Sequence, residues 1–118
     1  MNALLRTNPM PTAVTVSSLP VTVGVLAAAK KAGLRIPQDL SIVAFHDAAI
    51  ASYLDPPVTT IQMPLYELGR LAVDRLLHMM GGGELPMETV VPIPPRLMQR
   101  ESTAAPATKQ SPRKSRRP

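Results

Sequence analysis

Cysteine is absent from this 118-residue chain. That removes disulfides, thiolate metal sites and cysteine nucleophiles in any compartment. Aromatic residues are scarce too, at 3% against 45% hydrophobic, so any core must be assembled from Val, Leu, Ile, Ala and Met. No phosphate-binding glycine loop, metal-ligand spacing or helix with paired histidines is present. His46 and Asp47 are neighbours, but adjacency supplies no nucleophile, so the chain is expected not to be an enzyme and to need no metal or cofactor. The opening segment MNALLRTNPMPTAV carries one Arg and no sustained apolar run. It fits neither a secretion signal nor a membrane anchor, which places the chain in the cytoplasm.

Acidic residues are missing from the last ten positions, where Lys109, Arg113, Lys114, Arg116 and Arg117 stand. Those five equal the whole formal net charge of +5, so the rest of the chain is electrically neutral. The basic end has no interleaved aromatics for base stacking and no element to read a groove, so it is expected to be a solvated tail.

The remaining pattern alternates strands and helices, as in a layered α/β fold. Residues 1–12, with two prolines, suggest the end of a helix over Ala3 to Arg6 and then a loop, as though cut from something longer. Ala13 to Ser17 is β-branched and suits a short buried strand. Ser17, Ser18 and Pro20 suit a helix start, and Gly33 a helix stop. Leu40 to Phe45 is the second strand, also expected to be buried on both faces, with a helical turn around Ala48 to Tyr53 after it. Asp55-Pro56-Pro57 forces an extended loop, and Val58 to Ile61 is the third strand. Pro64 opens a long helix to Met80, with Leu65, Leu68, Ala72, Leu76 and Met80 in one stripe expected to pack in a core. Gly81-Gly82-Gly83 ends it. Glu88 to Gln99 allows one or two edge strands, and 102–118 is expected to be disordered. The division is therefore 1–12, 13–101 and 102–118.

Within this pattern, GLRIPQDLSIVAFHD and YLDPPVTTIQMPLYELG, between Gly33 and Gly69, carry the most specific signal. They resemble the C-terminal part of the lactose-repressor (LacI) family of bacterial transcription regulators, over about Pro11 to Glu101. The resemblance implies a partial, type I periplasmic-binding-protein-like domain. Its strands would be mostly parallel with flanking helices, and it would be incomplete without a lobe encoded upstream. It also implies that Asp55 to Ile61 crosses between lobes near a dimer interface, and that the helix after Pro64 belongs to the other lobe.

The family's Gly-Phe-Asp-Asp segment stands here as Ala44-Phe45-His46-Asp47, with His46 where the first Asp binds the effector's hydroxyl groups. The family's Asn-Asp pair, which binds effector and caps a helix, stands here as Ser18-Leu19. By resemblance, the effector-binding candidates are thus His46, Asp47 and Ser18. Helix capping by Ser17 or Ser18, and turn capping by Asp47, stay open beside that role.

The function so implied is the effector-sensing and dimerising portion of a LacI-type regulator. It would bind a small molecule such as a sugar, form a homodimer, avoid membranes, and meet operator DNA only through an N-terminal helix-turn-helix that this sequence lacks. A stand-alone sugar-binding protein and a non-functional truncated fragment are the alternatives.

Overall fold

A computed structural model describes residues 6–84 and 93–106. Four strands, β1 (Ala13–Val16), β2 (Ser41–Phe45), β3 (Thr59–Gln62) and β4 (Arg96–Met98), form one sheet in sequence order. β1, β2 and β3 are parallel, and β4 runs antiparallel to β3. Helix α1 (Leu19–Lys31) crosses over from β1 to β2, as a parallel pair requires. A 3-10 turn, Ala49–Ser52, follows β2, and helix α2 (Leu65–Met80) follows β3.

Each boundary has a local cause. Pro20 stands in the first turn of α1, where its missing N–H costs nothing. Gly33, at φ +73, takes the left-handed conformation that lets Leu34 N–H reach back to the Ala29 carbonyl. α2 ends in the same manner at Gly82, at φ +80. Of the expected helix end over Ala3 to Arg6, residues 3–5 lie outside the described residues, as does 88–92 of the expected edge-strand segment.

The core lies between α1 and the sheet. Leu19, Ala44, Ala51 and Val58 form one buried group, and Val16, Leu40 and Ile42 another, with Leu26 of α1 touching both. β1 does not match its expected burial on both faces. Among the described residues it is an edge of the sheet, with Ala13 and Thr15 exposed and Val16 alone buried. A β-branched run is equally suited to an edge, so composition could not separate the two cases.

The expectation of disorder from residue 102 also fails at its near end. Ser102 is fully buried, and its hydroxyl donates to the Ile42 carbonyl at 2.6 Å while accepting the Thr59 N–H at 2.8 Å. The Ser102 carbonyl accepts the Ile42 N–H at 2.8 Å. Ser102 thus fills the place where β2 and β3 diverge, and Ser41 Oγ holds the Ala104 backbone beyond it. A Ser102→Ala variant leaves the Thr59 N–H buried without a partner, so chemical denaturation should show a loss of about 1–3 kcal/mol. The remainder of the expected tail, 107–118, lies outside the described residues.

α2 departs from the expected core packing. None of its residues is buried, and Leu65, Leu76 and Met80 of the expected stripe are 58%, 56% and 76% exposed. The stripe has the spacing of a core-facing helix, yet no described element covers it. A Leu76→Glu substitution should therefore change stability by no more than about 0.5 kcal/mol. It should also reduce fluorescence of a hydrophobic dye bound to the chain, because it interrupts an apolar patch.

Candidate functional site

Parallel strands in register end together, and that brings the candidate residues to one edge. Val16 of β1 is paired with Ala44 of β2, so Ser18 and His46, two residues further along each chain, leave adjacent strands at the same carboxyl edge. In open α/β sheets this edge is where ligands bind. The Ser18 carbonyl accepts both the backbone N–H and the hydroxyl of Thr22, while its own hydroxyl caps nothing and makes no hydrogen bond within the described residues. Ser18 therefore occupies the N-cap position of α1 without a side-chain capping bond.

His46 is exposed, and its backbone N–H donates to the Ile61 carbonyl at 3.0 Å, extending the ladder between β2 and β3. Its φ is +65, a left-handed conformation uncommon for a residue with a side chain. The turn directs the chain away from the strand and leaves the imidazole at the rim. Holding such a residue costs on the order of 1 kcal/mol, met here by the fixed backbone on either side.

Asp47 is the fixed point. The 3-10 turn has Ala48 at its N-cap position with no side-chain cap of its own, and the Asp47 carboxylate accepts the Ala48 N–H at the entry to that turn. Its Oδ1 also accepts the Thr60 hydroxyl at 2.6 Å and the Arg100 Nη2 at 2.9 Å. Arg100 also donates to the Val58 carbonyl, the Thr60 hydroxyl and the Ser52 hydroxyl, and its backbone N–H reaches Thr59 Oγ1. One guanidinium joins the end of β2, the 3-10 turn and β3.

The side chains of the pair are 16% and 13% exposed. Desolvation opposes ionisation of Asp47. The hydrogen bonds from Thr60 and Arg100, the Arg100 charge and the Ala48 N–H outweigh it and hold the carboxyl below its ordinary range. The exposed Arg35–Asp39 pair is of another kind, an i,i+4 contact at 2.7 Å that lowers Asp39 to about 2 through hydrogen bonding. It lies far from the rim in the loop between α1 and β2.

Ser18 is half-buried and His46 exposed, and neither lines the two clefts nearby. A cleft of about 410 Å³ lies one strand further along, beside Gln62, Tyr66, Glu67 and Arg96. Gln62 and Arg96 face each other across the antiparallel pair. A second groove, of about 300 Å³, lies between Leu26, Ala27 and Lys30 of α1 and Asp55-Pro56. Among the described residues no group of three or more His, Asp or Glu side chains could hold a metal ion, and no helix is long and apolar enough to cross a membrane.

Residues 1–103 match the family of periplasmic binding protein-like domains. The chain is 42% identical over 102 residues to the ribose operon repressor of Haemophilus influenzae, covering 86% of this chain and 30% of that protein. Its fold is similar to a LacI family transcriptional regulator from Mycobacterium smegmatis, with a TM-score of 0.73 and 41% identity over 82% of this chain and 35% of that one. It is similar also to the lac repressor dimer bound to operator and an anti-inducer, with a TM-score of 0.71 and 31% identity over 88% of this chain and 36% of that one. The chain thus spans about a third of the length of these proteins.

Proposed function

The chain belongs to the LacI-type family of periplasmic binding protein-like domains, and from that premise we propose that it supplies the effector-sensing and dimerising portion of a cytoplasmic transcription regulator. Its effector would be a small polyhydroxylated molecule such as a sugar, received at the sheet's carboxyl edge by Ser18 and His46, with Asp47 bracing the edge from within. The observation that carries this reading is the register of β1 and β2, which sets the free Ser18 hydroxyl and the His46 imidazole on adjacent strand ends. A hydroxyl and an imidazole each donate and accept, so together they can take hydroxyl groups in either sense. The similarity to a ribose operon repressor makes ribose the first sugar to test. Operator contacts would come from a helix-turn-helix outside this sequence, and effector occupancy would shift the balance between DNA-competent and incompetent dimers, as linkage requires.

The test is calorimetric titration of the chain with ribose, then with other pentoses and hexoses, beside a His46→Gly variant. Glycine accepts the left-handed φ, so this variant removes the ring without straining the turn. Loss of one or two hydrogen bonds should weaken binding roughly 3- to 10-fold. Identical affinity in the variant would remove His46 from the site.

A further inference from the structure

We propose that Arg100 is a positioning residue for this rim, holding Asp47 and His46 in place against the strand that runs on into α2. The inference rests on the reading of that edge as the effector rim. Three observations support it. First, Arg100 makes no hydrogen bond to Ser18 or His46; its guanidinium is spent on Asp47, Ser52, Val58 and Thr60. Second, its partner Asp47 directly follows His46, the residue with the left-handed backbone, so any freedom at Asp47 passes to the His46 turn. Third, the strand it grips, β3, leads through Met63 and Pro64 into α2, and β4, which ends two residues before Arg100, pairs with that same strand.

The end of β2, the 3-10 turn and β3 therefore meet on one planar cation that follows them by 40 or more residues in sequence. Its fork geometry can satisfy a carboxylate, a carbonyl and hydroxyls at once, which a lysine ammonium on a flexible stem would do less well. A displacement of His46 by ligand would be felt at Asp47, then at Arg100, and so at the β3 segment that enters α2. The rim and the crossover strand would move as one body.

Amide hydrogen exchange on the full chain tests this without any ligand. The His46 N–H, bonded to Ile61, reports the rim, and the Ser41 N–H, bonded to Thr12, reports the far end of the same strand. In Arg100→Gln the His46 amide should exchange on the order of tenfold faster relative to Ser41, since local opening is released while the sheet is kept. Ser102→Ala is the control for general loosening and should speed both amides together. An unchanged His46-to-Ser41 ratio in Arg100→Gln, or the same selective change in Ser102→Ala, would overturn the proposal. Should Arg100→Gln fail to fold, Asp47→Asn, of equal size and without charge, is read by the same ratio. A parent chain that binds no sugar but shows selective loosening in Arg100→Gln would retire the effector reading and leave Arg100 as a clamp on the His46 turn.

Discussion

Replacing Arg100 with alanine is expected to cost about 3 kcal/mol, the lower end of the range for breaking a buried ion pair, because both side chains keep some exposure. The loss arises less from the attraction forfeited than from what is left behind. Asp47 would keep one hydroxyl partner, and the Val58 carbonyl would lose a charged donor. The effect should also depend on pH in a definite direction. Asp47 has a depressed pKa in the folded chain, so its contribution to stability is complete above the ordinary carboxylate range and is lost as pH falls through the folded value. Without Arg100 that contribution is largely gone, so the gap between parent and variant should narrow as pH is lowered from 7 toward 3. Urea titrations of both proteins across that range measure it. A gap that widened with acid would show that the pair is not what holds Asp47.

An Ile42→Ala substitution should be comparably severe, at about 2–5 kcal/mol, for a different reason. Ile42 is fully buried on β2, packed with Val16, Leu40 and the side chains of α1. Truncation opens a cavity between sheet and helix that neighbours cannot close without moving α1. The loss should be independent of pH, since no charge is involved, and that separates it from the Arg100 effect. A shift in the denaturation midpoint worth less than about 1 kcal/mol would mean that this layer is loosely packed.

The order of elements was legible in the sequence because each stop has a local cause. Gly33 ends α1, the triple glycine ends α2, and Asp55-Pro56-Pro57 separates β2 from β3. Strand limits moved by a residue, as for β3, which begins at Thr59 and ends at Gln62. Burial was less legible, since a β-branched run does not say whether its strand is central, and β1 proved to be an edge. The amphipathic stripe of α2 announces a partner face but cannot say where that face is.

Within the site, the edge position of Ser18, His46 and Asp47 followed from the alternation of elements and from the family resemblance. Arg100 and Ser102 did not. Arg100 meets Asp47 across 53 residues and Ser102 meets Ile42 across 60, and no local period links them. Their one advance signal was polar character at the end of an extended segment, with Arg100 inside the expected domain and Ser102 at the start of the expected tail. Asp47 shows the same limit. Its place after a strand fitted a cap, and only the fold reveals a cation waiting beneath it.

Whether this edge receives the effector is decided by a residue-resolved titration of the isotopically labelled chain with ribose, followed by other pentoses and hexoses. One of these sugars should perturb the amide signals of Ser18, His46 and Asp47 together, along the carboxyl edge of β1 and β2, and leave the groove between α1 and Asp55-Pro56 unchanged. Perturbations confined to that groove, or a flat response at the edge to every sugar, would contradict it.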